Sequence, residues 1–233
     1  MTIRYDAIFD FSYDQQTNRY RWISGPLRGS FASKEAVMSQ TASQVSRNAA
    51  VLSGLAGKVS SGEVTLKQFQ EQAGDALRKI HVAQAALGKG GWEKMQPEDW
   101  LRVGRELKRQ YYDGKNDDGR RFGLKHLAAD IRDGKMSEAM LRSRLEAFAE
   151  SGKVAYWAAW KTENGGAYGI RRLGVTDNHC AFCLTQAAIG PRPIAEIPPP
   201  GCCPQCLTRC KCSIVISDRA DSLLSLRDGW LTA

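Results

Sequence analysis

Between residues 34 and 165 apolar side chains recur at spacings of three and four, the period of amphipathic helices. Met38, Ala42, Val45, Ala49, Leu52, Ala56 and Val59 form one stripe. Leu66, Phe69, Ala73, Ala76, Ile80, Ala83 and Leu87 form the next. The break Ser60-Ser61-Gly62-Glu63 separates them, and Thr65 with Gln68 has the spacing of a capping box. Two long antiparallel helices joined by a short loop are expected. Gln96-Pro97-Glu98-Asp99 reads as a further helix start, with proline at the first helical position and acids at the positive end of the dipole. In that helix Trp100, Val103, Leu107 and Tyr111 share one face, while Arg102, Arg105 and Arg109 share another. The following polar run, Asp113 to Arg121, lacks the glycine and terminal glutamate of a calcium loop and reads as a solvated turn. A short helix over Phe122–Ile131 and a long one from Ser137, carrying Leu141, Leu145, Phe148, Tyr156, Trp157 and Trp160, complete this region. Ala155, Ala158 and Ala159 give the long helix a small-residue face suited to close packing.

The pattern changes at both ends. Before residue 34, Tyr20, Trp22 and Ile23 alternate between turn signals at Gly25-Pro26 and Gly29, which predicts short strands or an extended arm. After residue 165 the helical period is lost, and a Pro-rich loop, a strand over Ser213–Ser217 and a terminal helix from Arg219 to about Asp228 are expected. The fold class is therefore mainly α. It comprises an N-terminal strand segment (1–33), a helical body with long hairpins (34–165) and a small Cys-rich C-terminal module with short β-strands (166–233).

All seven cysteines lie in that last segment. Two clustered groups separated by a loop are how a chain gathers four thiolates around a tetrahedral Zn²⁺. Cys180 and Cys183 form one C-x2-C pair. The second pair has two solutions. Cys203 and Cys206 complete the C-x2-C template, whereas Cys210 and Cys212, two apart in a strand-like run, would point to one side with Lys211 pointing away. Cys202 fits neither, and His179 reads as a flanking polar residue. A disulfide framework is disfavoured by an odd cysteine count and by a start without a secretory pattern. A redox dithiol is disfavoured because no strand-then-helix pattern is evident around Cys180.

Net charge of +8 permits contact with nucleic acid or an acidic protein surface, and Arg102, Arg105, Arg109, Arg120 and Arg121 are the candidate phosphate contacts. No run of about eighteen apolar residues predicts a membrane span. Nucleophile elbows, HExxH and phosphate-cradling glycine loops are missing, so no enzyme is expected.

Over roughly Gly134 to Ser217 the chain resembles the phage head morphogenesis or minor capsid proteins of the Mu protein F type. The likeness lies in RDGKMSEAMLRSRLEAF, in AAWKTENGGAYG, in RRLGVTDNHCAFC and, after a proline-rich loop, in CLTRCKCSI. Asp177, Cys180, Cys183, Cys206, Cys210 and Cys212 stand at the places that matter in that family. Lys161 replaces a common arginine, Cys206 a common histidine, and Lys211 the arginine of the last element. The resemblance implies a virion structural protein, assembled in the host cytoplasm in a few copies at or near the portal vertex or head–tail joint. Its implied partners are portal, capsid or connector subunits, with packaged DNA as a further contact. The alternative reading is a zinc-ribbon nucleic-acid-binding protein using the basic helix face.

Overall fold

The computed structural model describes residues 9–115, 121–175, 179–201 and 210–224. Its body consists of α1 (Lys34–Ser60), α2 (Leu66–Lys89), α3 (Pro97–Lys108), α4 (Leu124–Arg132) and α5 (Glu138–Glu163). Local chemistry sets the helix starts. Ser33 Oγ accepts from Ala36 N, Ser137 Oγ from Met140 N, and Thr65 with Gln68 closes a reciprocal capping box. Phe122 does not join α4, because Gly123 turns the chain with φ 131°. Phe122 lies instead in β5 (Arg121–Phe122), paired antiparallel with β4 (Gly114–Lys115); of the run read as a solvated turn, residues 116–120 lie outside the described residues.

The helices α1, α2 and α5 pack mutually, with α2 in the middle. From Ile80 to Lys89 nearly every α2 residue is buried, so its apolar surface exceeds the single stripe seen in the sequence. Ala155 and Ala159 of α5 are buried against it. The closest approach is at Gly88, where an added Cβ would overlap the Tyr156 carbonyl and lie 3.1 Å from the Ala159 Cβ. Since backbone cannot swing aside, Gly88→Ala is expected to separate the helices and cost about 3 kcal/mol, at the upper end of overpacking penalties. A lower urea midpoint with unchanged slope is the expected reading.

Polar residues on buried faces explain where the periodicity misled. Along α1 the buried residues are Val37, Thr41, Asn48, Leu52, Leu55 and Ala56, while Ala42 is exposed. Thr41 is inside because its hydroxyl donates to Val37 O (2.8 Å) and accepts from Trp92 Nε1 (3.0 Å). Trp92 in turn anchors the N-terminal antiparallel sheet of β1 (Phe11–Asp14), β2 (Arg19–Trp22) and β3 (Phe31–Ala32). Phe9 meets it tilted and Phe11 edge-on, with ring centroids 4.5 and 5.7 Å away. The Tyr20 hydroxyl accepts from Trp92 N and donates to Glu93.

His81, fully buried in α2, is a further polar residue that the stripe pattern passed over. Ser151 Oγ donates to Phe148 O (2.6 Å), so at 3.1 Å it accepts from His81 Nε2 and leaves Nδ1 unprotonated, with no hydrogen-bond partner. Burial lowers the His81 pKa to about 4, with Glu106 acting in the opposite direction. The unfolded chain therefore takes up the proton first as pH falls. This contribution to stability is intact above about pH 6.5 and is lost on descending towards pH 4, by about 3 kcal/mol. Urea midpoints across that range should fall in the wild type and flatten in His81→Gln.

The C-terminal segment forms an antiparallel sheet in which β6 (Tyr168–Arg172) lies between β7 (Arg192–Pro193) and β8 (Ser213–Ser217). Ile194, Ile197 and Ile214 pack on Trp157 and Trp160 at the end of α5. Lys161 Nζ donates to Ala195 O (3.1 Å) and Ile197 O (2.8 Å), which fixes the proline-rich loop to the same helix. Of the expected terminal helix, residues 220–224 are helical and residues 225–228 lie outside the described residues. Among the described residues no helix is long and apolar enough to cross a membrane.

Candidate metal centre

The β6–β8 ladder brings the cysteines together. Its last pair is Arg172 with Ser213, so the chain leaves β6 towards Cys180 at the same sheet end where Cys210-Lys211-Cys212 enters β8. Cys180 is the N-cap of α6 (Ala181–Ala188), with extended backbone and a sulfur that accepts from Cys183 N at 3.4 Å. One helical turn then directs Cys183 inwards, where it is 1% exposed. Strand-like alternation before β8 buries Cys210 and Cys212 and exposes Lys211, which reaches Glu150 of α5 at 3.8 Å. The segment arrives tightly. A Cβ on Gly174 would lie 2.5 Å from Lys211 O, and the bare Gly174 amide donates to the Cys212 sulfur.

The sulfurs of Cys183, Cys210 and Cys212 lie within 4.8 Å of one another, and Cys183 Sγ is 3.7 Å from Cys210 Sγ. A disulfide would need about 2.05 Å, and none of the described cysteines forms one. Two thiolates on a tetrahedral zinc with Zn–S of about 2.3 Å would stand about 3.8 Å apart. Burial, reinforced by the neighbouring thiols of Cys180, Cys212 and Cys210, pushes the Cys183 pKa up. Burial also raises that of Cys212, against the Gly174 amide. Thiolates in this environment need a cation among them, and three buried sulfurs converging on one point can hold a metal ion. Cys180, partly buried, packs against the same cluster but is not one of the three sulfurs within 4.8 Å of one another.

Of the sequence candidates, Cys183, Cys210 and Cys212 are therefore brought to one place, with Cys180 packed beside them. Cys203 and Cys206, with Cys202 and Asp177, lie outside the described residues. His179, half-buried, is not part of the sulfur cluster. Two local readings change. The CKC run precedes the strand instead of belonging to it. A strand does precede Cys180 and a helix does follow it, the pattern whose apparent lack counted against a redox dithiol. Burial among thiols acts against that chemistry on its own, since it disfavours the thiolate that exchange requires.

No family model, curated protein or solved structure matches the chain. The sulfur geometry stands on its own. The basic face of α3 is partly neutralised within its own helix, with Arg102 3.4 Å from Asp99 and Arg109 3.3 Å from Glu106. Arg120 is among the residues not described, as is the Arg121 side chain. The sequence did not indicate Gly174, whose role follows from the long-range β6–β8 pairing and not from any local spacing.

Proposed function

We propose that this chain is a phage virion structural protein of the head morphogenesis type, whose C-terminal module is closed by one structural zinc on Cys180, Cys183, Cys210 and Cys212. The observation that carries the reading is the coincidence of two things. Cys183, Cys210 and Cys212, whose sulfurs lie together at the end of the β6–β8 ladder, and Cys180 packed beside them are among the residues on which the family resemblance rests. Four protein thiolates leave no coordination position for water, so the ion fastens the fold and performs no catalysis. Gly174 and the α6 N-terminal turn supply the amides that orient sulfur, as outer-shell donors do around structural metals.

A module fastened in this way keeps Lys211 exposed at the sheet end and Tyr168 exposed on β6. Such a surface suits docking on portal, capsid or connector subunits, in a few copies per particle. The test is co-purification with assembled particles, followed by imaging. Density for the protein at the portal vertex or head–tail joint is expected. Particles that assemble with normal composition and infectivity without this protein would reject the reading.

A further inference from the structure

Helices α2 and α5 and the segment carrying the cysteines enclose an open cleft of about 340 Å³ that neither the sulfur cluster nor the virion reading uses. Gln84 of α2 and Lys153, Tyr156 and Trp157 of α5 line it from the body, and Pro200 and Lys211 line it from the C-terminal module. Its size falls at the lower end of the roughly 300–1,000 Å³ typical of small-molecule sites.

Two ammonium groups border this cleft and one carboxylate answers them. Lys153 Nζ lies 3.6 Å and Lys211 Nζ 3.8 Å from the same Glu150 oxygen, both distances longer than a hydrogen bond. Neither lysine has another partner among the described residues. The two side chains are 38% and 62% exposed, so a ligand can reach both. An excess positive charge and the N–H donors of both groups are thus available to an anion.

The rest of the body wall is aromatic and polar. Tyr156 and Trp157 are half-buried and meet edge to face, with ring centroids 5.1 Å apart. Among the described residues the Tyr156 hydroxyl, the Trp157 indole N–H and the Gln84 amide make no hydrogen bond, and none of the three is sealed from solvent. Core packing would account for the rings and solvation for the lysines. Their meeting in one cleft, with idle polar groups between them, is the arrangement that a planar anion needs.

We propose that this cleft binds a nucleotide, with its phosphate accepting from Lys153 and Lys211, its base lying along Tyr156 and Trp157, and the Gln84 amide pairing with the base edge. Ammonium groups bind phosphate as point charges. Aromatic side chains carry bases of any sequence, because every base has a π-face. A side-chain amide offers both donor and acceptor to the edge of a heterocycle. The inference depends on the fold of the module, and neither on the ion that closes it nor on a virion role.

The experiment is calorimetric titration of the full, metal-loaded chain at fixed ionic strength with the common nucleoside monophosphates, their free nucleosides and inorganic phosphate. At least one monophosphate is expected to bind saturably, one per chain, and more tightly than its nucleoside or phosphate alone. Replacing both lysines, Lys153→Ala with Lys211→Ala, should weaken it about tenfold or more, with helical circular dichroism and zinc content unchanged. Should the double variant lose the fold or the metal, Lys153→Ala alone, on α5 and away from the cysteines, must still weaken binding. The proposal is overturned if no monophosphate binds, if the lysine variants bind as the wild type does, or if phosphate or a nucleoside alone binds as tightly as the monophosphate. Zinc content measured on the same samples separates a failure here from a failure of the metal site.

Discussion

Cys183→Ser is expected to lose the bound metal and, with it, the fold of the chain after Tyr168. Cys183 is the most buried of the four sulfurs and adjoins the other three, so no neighbour can take its place. Structural zinc contributes an apparent binding free energy of about 10–16 kcal/mol, which is folding free energy for a small module. Removing one thiolate forfeits most of it. The effect should stop at the module, because the two large apolar clusters of the body are built from residues no later than Ala159. Helical circular dichroism should therefore persist while limited proteolysis cuts the C-terminal segment. Cys210→Ser should behave similarly, whereas Cys203→Ser and Cys206→Ser should keep the ion. Loss of metal from those two, with retention in Cys210→Ser, would transfer the site to the other cysteine pair.

Lys89→Met is expected to destabilise the helical body by about 3 kcal/mol, the lower end of the cost of breaking a buried ion pair, because Asp99 keeps Arg102 at 3.4 Å and Glu163 keeps Lys94 at 3.3 Å. Lys89 is 6% exposed and Asp99 3%. The ammonium lies 3.2 Å from Asp99, 2.7 Å from Glu163 and 3.2 Å from the Thr162 hydroxyl, and so joins the ends of α2, α3 and α5. Burial alone would lower the Lys89 pKa, yet Glu163 and Asp99 together carry it upwards. Hydrogen bonding from Lys89, then from Lys94, holds Glu163 below the usual carboxylate range. The Lys89 contribution is therefore present below about pH 10.5 and lost as pH rises further. That of Glu163 is present above about pH 4.5 and lost as pH falls below it. Denaturant unfolding near neutral pH reads the full effect. Combining Lys89→Met with Asp99→Asn should recover part of the loss, since the buried carboxylate that has lost its Lys89 partner is then neutral; an additive double variant would show that the two residues do not interact.

The helical body was legible because its starts are written locally. Ser33, Thr65 with Gln68, Pro97 and Ser137 are each within four residues of the turn they begin. Hydrophobic periodicity supplied the rest, and failed where a polar side chain is buried for a partner far along the chain. Thr41 is inside for Trp92, His81 for Ser151, and Lys89 for Asp99 and Glu163. Helix α6 was hidden because its cap is a cysteine and its short sequence AFCLTQAA carries no polar stripe. The site was legible as a set of candidates and not as a geometry. Spacing alone left Cys203 with Cys206 and Cys210 with Cys212 as competing partners for the first pair. The β6–β8 register, a contact across some forty residues, brings Cys210 and Cys212 to Cys183.

The most direct measurement is the zinc content of the purified chain by elemental analysis, paired with a count of reactive thiols before and after chelation. One zinc per chain, released together with the thiol reactivity of Cys180, Cys183, Cys210 and Cys212, is the expected result. A chain that folds fully with no zinc, or whose cysteines are found in disulfides, would contradict the account.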